Sequence, residues 1–285
     1  ESVALPILSR LMPSTGNTGK LIAANTLVRA IQRLLQGLKV YVLMDSWYMR
    51  RRVISANTRL GFSVIGQVRI DTRLYDLPLP RRHGELGRSR KYGEKYTPEH
   101  IDQLHRTITT LKIYGKEQRV RLRSQLVKAR FLDGQLVHAV WCEFERSNGE
   151  WKAASLILST DITLTAEQVI ESYSLRWSIE PMFNQLKQTW GMKEAWQQTR
   201  KTLHRWVHIT MVSYGLVQLL SCLNNPTIDA LCQHTPWRKE NPKTAGQIRR
   251  GLTLLFRHVA IRQWWDATCK KFRPPDWGKN EDYKH

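Results

Sequence analysis

Negative charge is scarce in this chain. Its 24 Asp and Glu residues stand against 45 Lys and Arg residues, which gives a formal net charge of +21 over 285 residues. Such an excess needs a polyanionic partner, and nucleic-acid phosphate is the commonest one. A ribosome-like structural role and an acidic membrane surface are the alternatives. Because no basic amphipathic helix ends the chain, we favour nucleic acid and expect no membrane association.

Cysteines are few and form no sequence motif. None of the four belongs to a CxxC pair, and Cys232 with the nearby His234 fits no zinc template. We therefore expect buried free thiols and a reducing cytoplasm. The four are Cys142, Cys222, Cys232 and Cys269.

Long hydrophobic runs are also lacking. The most apolar stretch, residues 206–223, contains His208 and Gln218 and is marginal in length for a bilayer, so we expect a core helix. There is no signal peptide. Because the first residue is Glu1 rather than Met, we expect the gene product to start further upstream.

The first third alternates between short apolar runs and helical patterns, as an α/β fold does. Glycines at the predicted helix ends support this interpretation. The predicted elements are a strand at 3–12, a helix from Thr18 to Gly37, a strand at 39–44, a helix at 47–60 and a strand at 62–69.

A β-rich block follows. From residue 118 onward, three apolar runs are separated by Asp133-Gly134 and by Asn148-Gly149, which are strong hairpin signals. The pattern then becomes helical, beginning with a capping box at Thr165 and Gln168. We predict an α/β core interrupted by a β-rich insertion and completed by helices. The predicted boundaries are 1–61 and 158–225 for the core, 62–157 for the insertion and 226–285 for a helical tail.

The segment YSLRWSIEPMFNQLK, residues 173–187, carries polar side chains in one file. At about 100° per residue, Tyr173, Arg176, Glu180 and Lys187 fall on a stripe roughly 60° wide. The adjacent face is apolar, and we expect it to pack on the sheet. It comprises Leu175, Ile179, Met182, Phe183, Leu186 and Trp190.

Two acids are candidates for chemistry. Asp45 ends a predicted buried strand, where open α/β sheets bind ligands, although a helix N-cap is the simpler interpretation. Glu180 has a cation on either side, an arrangement that can hold phosphates around a metal, whereas Arg176 with Glu180 also fits a plain i,i+4 salt bridge. Pro181 leaves the Trp177 carbonyl without its helical donor and predicts a bend at this point.

The spacing of Tyr173, Arg176, Glu180 and Lys187 resembles the Y-R-E-K signature of bacterial insertion-sequence transposases of the DDE type. The sequence LMDSWY around Asp45 resembles the second acidic motif of that family, and the resemblance extends from about residue 3 to residue 190. It implies an RNase H-like core in which two Asp and one Glu hold two Mg²⁺ ions, with Mn²⁺ as a substitute. These ions activate water, and later a DNA 3′-hydroxyl, for attack on a phosphodiester.

The resemblance also implies roles for residues and partners. Asp45 and Glu180 are expected to be catalytic metal ligands, and Tyr173, Arg176 and Lys187 to contact transposon-end phosphates. The partners implied are double-stranded DNA, as transposon ends and target, and a second copy of the chain in a homodimer on DNA. The expected location is the bacterial cytoplasm, at the nucleoid.

One departure from the family pattern is serious. Residues 1–44 contain no Asp, although the first Asp of the triad should lie there or further upstream. We therefore expect a fragment that lacks the first strands of its core and is inactive. Asp161 is a possible substitute ligand, but we interpret it as the cap of a loop. A DDE-type nuclease without strand transfer and a non-catalytic DNA-binding module remain the alternative functions.

A basic run occupies residues 81–96 and contains three glycines. We predict a flexible loop in which Arg88, Arg90 and Lys91 contact DNA phosphates, while Tyr92 and Tyr96 stack on exposed bases or sugars. The alternative is a solvated loop that only keeps the protein soluble.

Overall fold

The computed structural model describes residues 3–12, 17–80, 87–196, 199–232, 243–257 and 261–273. They form two compact units, residues 8–181 and residues 3–7 with 182–285. The strands are β1 Tyr41–Met44, β2 Ser63–Val68, β3 Leu74–Tyr75, β4 Thr107–Ile113, β5 Lys116–Ala129, β6 Gln135–Phe144, β7 Ser155–Ser159, β8 Trp265–Asp266 and β9 Lys271–Phe272. The helices are α1 Asn17–Ile31, α2 Arg51–Thr58, α3 Pro98–Gln103, α4 Ala166–Ser174, α5 Ile179–Gln188, α6 Arg200–Ser221, α7 Pro226–Cys232 and α8 Ala245–Arg257. Short 3-10 turns occupy Gln32–Leu35, Arg130–Leu132, Leu175–Ser178 and Ile261–Trp264.

The first unit is built on a seven-stranded sheet in the order β1-β2-β7-β6-β5-β3, with β4 also paired to β5. β1 and β2 are parallel, and the other pairs are antiparallel. Because side chains alternate along a strand, Leu156 and Leu158 of β7 enter one core while Ile157 enters the other. α2 covers the first face through Val53 and Ile54. α4 covers the second face through its own apolar residues.

The second unit has a helical core. Met182 and Leu186 of α5, with Trp190, pack among residues of α6, α7 and α8. Trp190 Nε1 donates to Ser213 Oγ at 3.2 Å, and its ring lies 5.0 Å from the ring of Tyr214. α6 contributes one face to this core, and its opposite face is exposed to solvent, so the expectation of a core helix holds for one face only. No single helix of the described ranges is long and apolar enough to cross a membrane, and only the bent pair of α6 and α7, at 114°, meets those criteria together.

Most predicted elements of the sheet unit are confirmed. The turn glycines Gly37, Gly61, Gly134 and Gly149 have φ angles of 80°, 81°, 77° and 82°, where a side chain would be strained. The capping box at the start of α4 is present in both directions. β4 was not predicted, although its alternating burial and the turn after it mark a hairpin.

Two predictions are wrong. Residues 3–12 form no strand, since Pro6 has no N–H to donate and no described strand pairs with them. The cysteines are not all buried, because Cys222 follows the last turn of α6 and Cys269 lies in a turn, both exposed. Cys142 is buried within β6, and this burial raises the pKa of its thiol to about 12. The domain boundaries remain a prediction.

Candidate active site and nucleic-acid interface

Asp45 follows β1 directly and its side chain is exposed. Its Oδ1 accepts hydrogen bonds from the backbone N–H groups of Trp47 and Tyr48, at 3.1 and 3.2 Å. Asp45 therefore caps the turn after the strand, whereas the N-cap position of α2 is Arg50. Both hydrogen bonds use one carboxylate oxygen, so the second oxygen can face a ligand.

The signature segment is not one continuous helix. α4 ends at Ser174, a 3-10 turn covers Leu175–Ser178, and α5 begins at Ile179. Pro181 explains the interruption, since it cannot donate to the Trp177 carbonyl one turn earlier. The predicted bend thus takes the form of a change of helix type. This turn lies against β1, the strand that leads to Asp45.

Three residues of the predicted stripe meet at this interruption. The Arg176 guanidinium carbon lies 5.8 Å from the centroid of the Tyr173 ring, and Arg176 Nη2 lies 3.6 Å from Glu180 Oε1. The Tyr173 hydroxyl donates to Gln67 Oε1 on β2 at 3.4 Å. The i,i+4 salt bridge is therefore present. With the Glu180 side chain 49% exposed, such a pair contributes only about 0.3–0.5 kcal/mol, so stability alone is a weak reason for it.

Electrostatics connects Asp45 to this group. Burial raises the pKa of Tyr173, and the Asp45 carboxylate raises it further, while the Arg176 charge lowers it. The phenol therefore stays neutral at pH 7 and can donate a hydrogen bond. The pKa of Tyr173 therefore depends on both Asp45, which follows β1, and Arg176 of the signature segment.

Tyr114 is a residue of this site that sequence reasoning missed. It sits at the turn between β4 and β5 with φ 55°, and its ring lies 5.9 Å from that of Trp177. Burial raises the pKa of Tyr114, and the charges of Arg176 and Glu180 act on it in opposite directions. The Tyr-Gly pair between two alternating runs was the available signal, since it marks a hairpin tip.

Lys187 is not brought into contact with Glu180. It lies seven residues further along α5, about 10 Å along the helix axis. Its Nζ lies 5.7 Å from the centroid of the Phe183 ring.

The predicted apolar face is divided, and the expectation that it packs on the sheet is wrong. Its buried members pack in the helical core of the second unit, and the others are exposed. The division falls within α5 itself, because only the side chains that meet the residues of α6, α7 and α8 are covered. The buried members are Met182, Leu186 and Trp190, and the exposed ones are Leu175, Ile179 and Phe183.

Asp161 has all its oxygens engaged. Oδ1 accepts from the backbone N and hydroxyl of Thr163 at 3.0 and 2.6 Å. Oδ2 accepts from the Tyr41 hydroxyl at 3.1 Å and lies 3.2 Å from Lys39 Nζ. These contacts, the Thr163 hydroxyl foremost, lower the pKa of Asp161 to about 2. The interpretation of Asp161 as a loop cap is confirmed.

The carboxylates present do not complete a two-metal site. Within the described ranges, no group of three or more His, Cys, Asp and Glu side chains is arranged to hold a metal ion. Asp45 and Glu180 are two acidic donors, and Asp161 is already occupied by protein donors.

The basic run is folded over its second half. Residues 81–86 lie outside the described residues, and Arg88 and Arg90 are exposed. Lys91 Nζ forms an ion pair with Asp133, and the Tyr92 ring lies 4.9 Å from that of Tyr75. Residues 93–96 pair with β3 and its extension through backbone hydrogen bonds. The expected flexibility is therefore wrong for residues 91–96, because the loop packs on the turn at Asp133.

Comparison with known families gives one match. A family model described as a transposase DDE domain matches residues 5–216. No curated protein matches the chain.

Proposed function

The chain belongs to the transposase DDE domain family, and on that premise we propose that it is a DNA transposase of the bacterial insertion-sequence type with the Y-R-E-K signature. Its reaction is metal-dependent cleavage at transposon ends, followed by joining of those ends to target DNA. The observation that carries the proposal is the grouping of Tyr173, Arg176 and Glu180 against the strand that ends in Asp45. The net charge of +21 agrees with DNA as the substrate.

Each residue of the group has a chemical role in this proposal. Arg176 and Lys187 pair with phosphates of the transposon end, and the neutral Tyr173 hydroxyl donates to a phosphate or sugar oxygen. The weak contact between Arg176 and Glu180 is easily exchanged for a phosphate and a metal ion. We further propose that β1 and the signature segment belong to an RNase H-like core, with 62–157 as its insertion.

The proposed metal is Mg²⁺, with Mn²⁺ as a substitute, as transposases of this family generally use divalent ions. Asp45 and Glu180 would supply two of the oxygen donors that such hard cations prefer. A third carboxylate is missing from the described residues. We therefore expect the 285-residue chain to bind DNA but not to cut it.

We also propose that the protein acts as a homodimer on DNA. The exposed face of α6 carries large apolar residues at spacings of three and four, which is the heptad pattern of a helix that pairs with a second copy of itself. They are Ile209, Val212, Leu216 and Leu219, and Leu223 continues the spacing just beyond the helix, each 48–63% exposed. Replacing Val212 and Leu216 with Glu should make the chain monomeric in sedimentation experiments, whereas an unchanged mass would refute this seam.

The central test separates binding from cleavage. In a version of the enzyme that carries three carboxylate ligands, Glu180→Gln should abolish nicking of a labelled transposon end in Mg²⁺ or Mn²⁺. It should leave end binding intact or tighter, because a negative charge near phosphates is removed. Arg176→Ala or Lys187→Ala should instead lower the slope of log affinity against log salt by about one unit each.

Four results would contradict the proposal. Metal-dependent nicking by the 285-residue chain would disprove the missing-carboxylate argument. Normal cleavage by the Glu180→Gln variant would show that Glu180 is not a metal ligand. Cleavage without joining of the ends to a target duplex would identify a DDE-type nuclease, and binding alone in the version with three carboxylate ligands would identify a non-catalytic DNA-binding module.

A further inference from the structure

A second basic feature lies away from the signature segment, between α1 and α2. A cleft of about 540 Å³ is lined by side chains of both helices, including Arg29, Arg51, Arg52 and Arg59. All four arginines are exposed. Among the residues that the structure describes, no acidic or aromatic side chain lines the cleft. The composition therefore favours anions and offers no ring on which a base could stack.

Most of this charge is unbalanced by protein. Arg51 Nη2 lies 3.5 Å from Asp133 Oδ2. Among the described residues, no carboxylate lies within 4.0 Å of Arg29, Arg52 or Arg59. Guanidinium groups that line one cleft repel one another unless an anion lies between them, so the arrangement is suited to a phosphate-bearing ligand.

Asn25 is a second, independent sign of a ligand. This residue lines the cleft, is only 8% exposed, and its Oδ1 has no hydrogen-bond partner. A buried amide oxygen without a hydrogen-bond partner destabilises the free protein, so a ligand group that satisfies the amide is favoured there. Rotating the amide by half a turn exchanges its oxygen for its NH₂ group, which can donate to an anion in the cleft.

The cleft continues towards the basic loop. Asp133 accepts from Arg51 through one carboxylate oxygen and from Lys91 through the other. These two cations hold the pKa of Asp133 below its usual value, Lys91 having the larger effect. The carboxylate thus occupies a place between two cations where a phosphate would also fit.

We propose that the cleft between α1 and α2 is a phosphodiester-binding track for duplex DNA, continued by Lys91, and that Asp133 acts as an internal counterion which the DNA displaces. This proposal takes DNA as the partner from the proposed function, but it involves none of the signature residues. The charge density of duplex DNA, about one negative charge per 1.7 Å of axis, fits cations on two helices and a loop. A free nucleotide would leave its base without a stacking partner there.

The test uses the 285-residue chain and a short random-sequence DNA duplex, followed by fluorescence anisotropy over a range of salt concentrations. Replacing Arg29, Arg52 and Arg59 together with Gln should lower the slope of log affinity against log salt by about two to three units. The matched control replaces Lys152, Lys201 and Arg257, all exposed and outside the cleft, and removes the same charge. It should change the slope by clearly less.

Asp133→Asn gives a variant that acts in the opposite direction. Asp133 has φ 59°, a conformation that Asn also tolerates, so the turn is kept. Removing its negative charge should tighten duplex binding, most at low salt. Unchanged or weaker binding would refute the role of Asp133 as a displaced counterion.

The possible outcomes of these experiments distinguish the proposal from its alternatives. Equal decreases in the salt slope for the cleft variant and the control would show that only net charge matters and would refute the track. No decrease in either variant would also refute it. Displacement of the duplex by millimolar inorganic phosphate or ATP would identify a small-anion site instead, and tighter binding of duplex RNA would identify the wrong polymer. If Arg176→Ala and Lys187→Ala leave binding unchanged while the cleft variant loses it, the signature residues fail as DNA contacts but the track stands.

Discussion

Asp161 offers the sharpest test of the electrostatics in this fold. Its pKa falls from the usual 3.8 to about 2, chiefly through the Thr163 hydroxyl and backbone, with smaller effects of Lys39 and Tyr41. The carboxylate is only 10% exposed, whereas Lys39 is 64% exposed, so the contribution of that pair is screened. Allowing for this screening, the shift corresponds to about 1–2 kcal/mol of stability.

The direction of the pH dependence of stability follows from the lowered pKa of Asp161. A depressed carboxyl pKa stabilises the folded chain above pH 3.8, and this contribution is lost as the pH falls towards 2. At pH 3 roughly half of it should remain. Asp161→Asn should therefore lower the free energy of unfolding by about 1–2 kcal/mol at pH 7, and the difference from wild type should shrink below pH 4.

Urea unfolding of both chains at several pH values measures this difference. Asp71→Asn is the matched control, since Asp71 pairs only with the neighbouring Arg69 and is 63% exposed. It should cost less than about 1 kcal/mol. A difference for Asp161→Asn that stays constant from pH 7 to pH 3 would refute the reasoning. Stabilisation of the wild type by Mg²⁺ that disappears in the Asp161→Asn variant would instead identify a metal ligand.

Two further pairs of substitutions test the packing in thermal melts. Gly66→Ala should destabilise the chain by about 1–3 kcal/mol, because the new Cβ would lie 2.8 Å from the Met44 carbonyl oxygen and contact the Met49 sulfur. Its control is Gly215→Ala in α6, where the new Cβ meets nothing within 4 Å, so this change should be neutral or stabilising. Leu186→Ala should cost about 2–5 kcal/mol, because Leu186 is completely buried. Phe183→Ala, at a side chain 44% exposed, should cost much less, and equal losses would contradict the division of the α5 faces.

Local signals accounted for much of the sheet unit. Alternating runs and the glycines of Asp133-Gly134 and Asn148-Gly149 predicted the meander, since these turns require positive φ. The capping box predicted the start of α4 for the same kind of local reason. The predicted strand at residues 3–12 was wrong because an apolar run does not show whether a neighbouring strand is available for pairing.

The site was predictable in chemistry but not in geometry. Spacing alone brought Arg176 near Tyr173 and Glu180, because i,i+3 and i,i+4 contacts survive a change of helix type. The burial of α5 did not follow from the helical wheel, because it depends on which helices supply the opposing surface. The cleft between α1 and α2 depends on how these two helices pack against each other, and the hydrophobic periodicity of each helix does not predict that packing.

The order of strands has a consequence for how this protein folds. β4, β5 and β6 are joined by short turns, whereas β2 pairs with β7 across roughly ninety residues, with Ile65 opposite Ser159. Closing so long a loop costs entropy before any contact repays it, so the hairpins should form early and the β2–β7 pairing late. Tyr173 and Glu180 follow β7, and Asp45 precedes β2. A chain still on the ribosome therefore has no site until almost all of the sheet has been synthesised, and Asp45 meets the signature segment only once β2 has paired with β7.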